Sequence, residues 1–338
     1  MEIRLGTIGS NFIVHNILRH VVKTPGFTYT AAYSRSAEKA RALADQYGAK
    51  RSYSDMDAFL ADEEVNFVYI AVPNSLHFQT AKAALLAGKN VLLEKPFCPE
   101  LAEAEELVEL AKARGLILAD MTPTAYLPNL PVLKEQLPKI GQIRLVMGNY
   151  TQYSSRYDRF RAGEQDNVFT AEFAGGSLMD INYYNVYLNT ALFGKASSAR
   201  YFPNIQRGID TSGVIVLEYD GFVSQNAGAK DCRGENFFQI EGEDGSIFVP
   251  GGVSCMEQIR VVTREGTETF GIPHESDLWG WVVKELARII GSDDLTPLEE
   301  GLNTMLGVIG TIERARKDAK IFFPGDRNPQ RPSTHREK

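Results

Sequence analysis

The chain has 338 residues, 43% of them hydrophobic and 23% charged, and its 36 Lys and Arg against 43 Asp and Glu leave a formal charge of −7. That length suits two domains, each able to bury its own core. The acidic balance offers no global attraction to polyphosphate or anionic lipid, so neither nucleic acid nor membrane is an expected partner. Cys98, Cys232 and Cys255 are too few and too scattered for a disulfide framework. No Cys/His cluster has metal-ligand spacing, so no metal is expected. The opening MEIRLGTIGSNFIVH carries no secretory pattern, and no apolar run is long enough to span a bilayer. The expectation is a reduced, soluble, cytoplasmic protein.

The first third alternates short apolar runs with longer helical patterns. Residues 3–9 (IRLGTIG) read as a buried strand and 12–23 as an amphipathic helix stopped by Pro25-Gly26. A strand at 27–33 (FTYTAAY) precedes a helix at 36–47, with Ser36 as its N-cap. Strands follow at 67–72, 90–93 and 116–119, and helices at 75–87 and 99–114 end at Gly88 and Gly115. Strands alternating with helices of this length predict βαβ units. They therefore predict a parallel sheet covered on both faces, most simply a doubly wound nucleotide-binding (Rossmann) fold over residues 1–121.

Beyond Pro123 the rhythm changes. Helical patterns at 130–137 and 180–193 flank a strand at 143–153, and strand-like runs recur at 214–219, 222–227, 237–241, 246–249, 258–263 and 267–270. Turn pairs such as Asp220-Gly221 and Asp244-Gly245 divide them, so a large open, mostly antiparallel sheet is expected in an α+β domain over 122–325. Helices at 276–290 and 298–317 close it, and 326–338 read as a loose tail.

Candidate chemistry lies where the first sheet's strands end. In the turn Gly6-Thr7-Ile8-Gly9-Ser10-Asn11-Phe12-Ile13-Val14, a dinucleotide fingerprint aligned on Gly9 would have glycine at 11 and a small residue at 14. Asn11 is expected to take the left-handed conformation there, being the best non-glycine occupant of it. The second strand ends in Tyr33-Ser34-Arg35-Ser36 with no acid at its tip. A hydroxyl and a guanidinium there favour a 2′-phosphate, hence NADP(H) over NAD(H), although Arg35 also reads as a solvated loop cation. Ala71-Val72-Pro73-Asn74-Ser75-Leu76-His77 and Glu94-Lys95-Pro96 reach the same edge. His77 reads better as a satisfied helix-start histidine than as a catalyst, and Glu94 equally as a salt-bridge partner or a nucleotide contact. In the second domain Asp180 and Tyr184 stand four apart, sharing a face if helical. On spacing alone they are also a cap and a core residue.

With GTIGSN, AVPNSLHF, GKNVLLEKPF and AGGSLMDINYY in this order, the chain resembles the Gfo/Idh/MocA family of oxidoreductases over nearly its whole length. The resemblance implies an NAD(P)-binding Rossmann domain and a second domain whose open sheet supports a homodimer or homotetramer. It also implies hydride transfer on a sugar, polyol or related diol. It places the family's lysine on Lys95, its acid on Asp180 and its proton carrier on Tyr184, with Lys95-Pro96 often cis. Cofactor contacts then fall on Gly9, Ser10, Asn11, Phe12, Ser34, Arg35, Ala71, Pro73, Asn74, His77 and Glu94. The chain departs from the family pattern at Asn11, Val14, Ala125 and Asn182.

In this picture Tyr184 moves the hydroxyl proton, Lys95 stabilises the oxyanion and Asp180 orients the pair. Pocket loops are expected at 153–170 and 205–211, and Tyr150, Tyr153, Arg156, Tyr157 and Arg161 are candidate substrate contacts, each reading also as part of a solvated loop. Two alternatives stand beside dehydrogenation: a cofactor-binding sensor without turnover, and glycoside cleavage through transient oxidation.

Overall fold

A computed structural model describes residues 1–254, 256–273, 277–292 and 294–326. Cys255, the first residue of the helix expected at 276–290, and residues 327–338 of the expected tail lie outside them.

The first sheet contains β1 (Ile3–Ile8), β2 (Phe27–Tyr33), β3 (Arg51–Tyr53), β4 (Phe67–Ile70), β5 (Asn90–Leu93) and β6 (Leu118–Asp120). All its pairings are parallel, in the order β3-β2-β1-β4-β5-β6. Helices α1 (Phe12–Val21), α2 (Ala37–Tyr47), α3 (Met56–Leu60), α4 (His77–Leu86) and α5 (Leu101–Arg114) make the crossovers. The strands are buried on both faces; Phe67, Val68, Tyr69 and Ile70 are each 0% exposed, as their unbroken apolar run requires. Strand order reverses between β1 and β4, where doubly wound sheets open their ligand crevice.

After α6 (Asn129–Gln136), β7 (Ile143–Thr151), α7 (Tyr157–Arg161) and α8 (Tyr183–Phe193) come seven strands. These are β8 (Ser198–Gln206), β9 (Ile209–Tyr219), β10 (Phe222–Ala229), β11 (Phe237–Gly242), β12 (Gly245–Pro250), β13 (Ile259–Thr263) and β14 (Gly266–Phe270). With β7 they form an eight-stranded sheet, β14-β13-β12-β11-β7-β10-β9-β8, antiparallel except for the β7–β10 pair. Residues 205–211, expected as a pocket loop, instead belong to the β8–β9 hairpin and its Arg207-Gly208 turn.

Helices α9 (Leu278–Gly291) and α10 (Thr296–Asp318) follow the second sheet, yet α9 buries Val282, Val283, Leu286, Ile289 and Ile290 in the same cluster as β1 and α1. Each such side chain contributes roughly 1.5–3 kcal/mol by leaving water. The chain thus returns to cover its first sheet, and the residues around the expected 121/122 boundary lie inside a shared core.

Candidate active site

At the tip of β1, Gly9 has φ +119°, and a Cβ there would lie 2.5 Å from the Ala71 carbonyl oxygen. Only glycine allows this close approach of the two strand ends. Asn11 does not take the expected left-handed conformation. It is extended (φ −87°, ψ 177°) and caps α1, its Oδ1 accepting from Ile13 N and Val14 N while its Nδ2 donates to the Ala71 carbonyl at 2.9 Å. Capping competes well here because extended backbone is what an N-cap residue needs. Val14 is 0% exposed, packed into the core beneath the turn. Ser10 and Phe12 border the open side; the Phe12 ring is 72% exposed.

At the tip of β2, Ser34 Oγ accepts from Ser36 N at 3.3 Å, and Arg35 is exposed with no side-chain partner among the described residues. Pro73 starts a single 3-10 turn at the end of β4, and Asn74 Nδ2 donates to the Ala174 carbonyl at 2.8 Å, tying this turn to the other lobe. His77 is 1% exposed, and both ring nitrogens face backbone carbonyls, Val72 and Pro96, each at 2.9 Å. Burial lowers its pKa. Kept neutral by burial, the ring has one N–H to donate to one of these carbonyls, and its place between two strand-end loops fits the satisfied helix-start histidine.

Glu94 and Asp120 close the far end of this edge, on adjacent strands. Glu94 accepts from the Tyr69 hydroxyl at 2.6 Å and from Lys95 N at 3.2 Å. Asp120 Oδ1 accepts from Thr122 N and Oγ, while its Oδ2 is buried without a partner. Burial pushes both carboxyls up to about 7, against the hydrogen bonds each accepts.

The Lys95-Pro96 peptide is cis. Lys95 Nζ donates to Asp180 Oδ1 at 2.7 Å and to the Asp180 carbonyl at 3.0 Å, and stands 4.9 Å from the centroid of the Tyr184 ring. Lys95, Asp180 and Tyr184 are therefore brought together from both lobes. The local conformation differs from the expected helix: Asp180 sits in a wide π-turn, Leu178–Asn182, that feeds α8. Such turns recur at functional sites. The turn is anchored by Asp210, whose Oδ2 accepts from Leu178 N at 2.7 Å and from the Tyr201 hydroxyl at 2.8 Å. Gly176 is required there, since a Cβ would fall 2.0 Å from Asp210 Oδ1.

Sequence reasoning missed Lys230. Its ammonium donates to Asp180 Oδ2, so each carboxylate oxygen has its own lysine. Burial opposes the charge on Asp180, but Lys230 and Lys95 together hold its pKa far below the usual carboxylate range. Burial likewise opposes the charge on Lys95, and Asp180 holds its pKa above the ordinary value. Tyr184, 8% exposed, is raised by burial despite the nearby Lys95, so it stands as a neutral phenol. No local pattern marks it, since the register of β10 against β7 and β9 sets its place.

Asn182 points away from this cluster. It donates to the Asn226 carbonyl at 3.1 Å and accepts from Asn185 Nδ2 at 2.9 Å; Gly228 makes room, since a Cβ there would meet Asn182 Cβ at 2.6 Å. The departures at 11 and 182 thus have structural causes. Among the substrate-contact candidates, Tyr150 lays its ring against Tyr184 edge-on at 5.5 Å. The others are tied locally: Tyr153 to Asp158, Arg156 to Asp166, Tyr157 to Gln206, and exposed Arg161 within 3.9 Å of Asp158.

Residues 3–120 match the model of an oxidoreductase family with an NAD-binding Rossmann fold, and residues 138–248 match the GFO/IDH/MocA C-terminal domain. The chain is 36% identical over 327 residues to scyllo-inositol 2-dehydrogenase (NADP(+)) IolU of Bacillus subtilis (strain 168), covering 96% of this chain and 99% of that relative. The chain belongs to the GFO/IDH/MocA oxidoreductase family. Another relative in the family's range is trans-1,2-dihydrobenzene-1,2-diol dehydrogenase of Sus scrofa, 27% identical over 234 residues and covering 66% of each chain. The fold is shared with KijD10, a 3-ketoreductase from Actinomadura kijaniata solved with NADP and TDP-benzene. That structure has a TM-score of 0.81 and 22% identity, covering 94% of this chain and 98% of the other. Membership in the GFO/IDH/MocA family fits both sheets. Among the described residues there is no group of three metal-ligating side chains and no helix long and apolar enough to cross a membrane.

Proposed function

We propose that this oxidoreductase interconverts a hydroxyl and a carbonyl on a sugar, polyol or related diol, with NADP(H) preferred and NAD(H) the weaker alternative. The carrying observation is the meeting of Lys95, Asp180 and Tyr184, from two lobes, at the edge where a parallel sheet opens its crevice. The relatives that act with NADP(+) on inositol and on xylose support the substrate class.

The residues present fit a dinucleotide. Gly9 opens a cradle that a Cβ would fill, and at the β2 tip Ser34, its oxygen accepting from Ser36 N, has its O–H to donate beside an Arg35 guanidinium with no side-chain partner among the described residues. Gly9, Ser10, Asn11, Phe12, Ala71, Pro73, Asn74 and Glu94 would line the bound dinucleotide. When bound, the nicotinamide supplies or accepts the hydride.

The protein's part is the proton and the charge. In reduction, neutral Tyr184 gives its phenolic proton to the substrate oxygen as negative charge grows there. Lys95, held charged by Asp180, stabilises that oxygen and then the Tyr184 phenolate. In oxidation the same proton travels from the substrate hydroxyl to Tyr184, so the oxidative rate rises with pH as the phenol ionises. Lys95→Ala and Tyr184→Phe should each lower kcat by about 10²–10⁴-fold while NADPH binding, followed by fluorescence titration, changes little. Wild-type turnover in both variants would remove this mechanism.

We further propose a cytoplasmic homodimer or homotetramer. Cys98 and Cys232 are free thiols, as a reducing compartment allows. Phe202, Val223 and Val262 lie exposed on the second sheet, and closed symmetric assembly would cover them. A monomer by analytical ultracentrifugation would overturn the assembly.

A further inference from the structure

Lys230 stands immediately after β10, its side chain 4% exposed. Its backbone is pinned on both sides: its N–H donates to the Thr211 carbonyl at 2.8 Å, and its carbonyl accepts from Ser154 N at 2.9 Å. The ammonium meets Asp180 Oδ2 and lies 5.3 Å from the centroid of the Phe169 ring. A charge so deeply placed is held only where a fixed partner answers it. That partner is the carboxylate that also holds Lys95. We propose that Lys230 is a positioning residue that keeps the second oxygen of Asp180, so that Lys95 keeps an N–H free for the substrate oxygen and the cluster keeps one net positive charge.

The reasoning is a count of donors and charges. An ammonium has three N–H groups, and Lys95 gives two of them to Asp180, one to Oδ1 and one to the backbone carbonyl. One remains. Without Lys230, Asp180 Oδ2 would be left in a site that is mostly closed to water, and its nearest cation would be Lys95. The carboxylate would turn both oxygens onto Lys95, and the remaining N–H would be drawn from the pocket. The trio's net charge would also fall from one positive to zero beside Tyr184. The groups facing that phenol are Lys95, Asp180, Glu94 and Tyr150, with Tyr183 and Tyr69 behind it; those facing Lys230 are Asp180 and Asp210. Among the described residues, Lys95 and Lys230 are the cations that act on Asp180.

This rests on the dehydrogenase reading above, and the test separates the two. With scyllo-inositol and NADP⁺ as probes, Lys230→Met should lower kcat by about 10- to 100-fold with KM changed by less than about 3-fold. The alkaline rise of the oxidative rate should move to higher pH by roughly half a unit or more. Lys230→Arg, which keeps the charge, should restore the pH profile and part of kcat. A crystal structure of Lys230→Met gives a readout independent of turnover: the Asp180 carboxylate turned with both oxygens onto Lys95 is the expected result. If Asp180 stays in place, or the pH profile of Lys230→Met matches wild type, the proposal is overturned. If the wild-type protein turns over no polyol with either nicotinamide, the dehydrogenase reading fails, and the crystal structure still decides the role of Lys230.

Discussion

The same sheet edge carries charge in two ways. In its interior, Lys95, Lys230 and Asp180 are largely withdrawn from solvent and answer one another, while Asp120 sits on the neighbouring strand with its Oδ2 unpartnered among the described residues. At its rim, Arg35 is exposed, with no side-chain partner among the described residues. Burial makes the difference. An interior charge is fixed in place and its protonation is set by its neighbours, whereas a rim charge is left for an incoming ligand to use. The contrast holds inside the edge as well: Asp180, between two ammonium groups, is kept ionised, and Asp120, with none touching it, is pushed up to about 7.

The most severe way to break the contrast is Asp180→Asn. It strands two lysines whose shared partner is gone, so we expect about 3 kcal/mol of lost stability along with the loss of turnover. The pH dependence has a definite sign. Asp180 is held below its unfolded value of 3.8, so its contribution is fully present above that pH and disappears as pH falls through the lower folded value. Urea unfolding should therefore show the wild type ahead by a constant margin from neutral pH down to about 5, and the margin closing in stronger acid. A variant as stable as wild type at pH 7 would show that the two lysines do not depend on this carboxylate.

What could be read from the chain follows the same division. The buried parallel strands are written as continuous apolar runs, and β2 (Phe27–Tyr33) and β5 (Asn90–Leu93) fall where FTYTAAY and NVLL predict them. Short β3 and α3 carry no such signal, because RSY and MDAFL are too brief for periodicity to show. The spacing of Asp180 and Tyr184 fits one helical face, which hides the wide turn between them. Lys95, Asp180 and Tyr184 became candidates through family motifs rather than spacing. Lys230 was illegible for a deeper reason. Its place beside Asp180 is set by the register of β10 between β7 and β9, a long-range pairing that no local pattern encodes.

Asp120→Asn sharpens the interior half of the comparison. A carboxyl raised to about 7 when folded, from 3.8 when unfolded, holds its proton more tightly in the native state. Stability is therefore lost as pH rises through that window, and the loss is complete above it. The asparagine variant does not titrate, so relative to wild type it should gain about 2 kcal/mol between pH 5 and pH 8. Equilibrium unfolding at the two pH values measures this directly. A gap that does not change with pH would mean that Asp120 ionises in the fold as it does in water, and that the unpartnered Oδ2 has found water or a cation.

Arg35→Ala tests the rim, where the effect should be smallest and confined to the ligand. With no side-chain partner among the described residues, the guanidinium contributes little to stability, and unfolding should stay within about 0.5 kcal/mol of wild type. Its charge would be felt only by a phosphate on the adenosine ribose. NADPH affinity should then fall about tenfold, equivalent to about 1.4 kcal/mol, while NADH affinity stays level. Parallel fluorescence titrations of the variant and wild type with both cofactors separate the outcomes. An equal loss for both would place Arg35 on the shared pyrophosphate, and no loss for either would leave it a solvated loop cation. In each of those cases the preference for NADP(H) loses its physical basis at the β2 tip, because Ser34 alone supplies a hydroxyl but no charge.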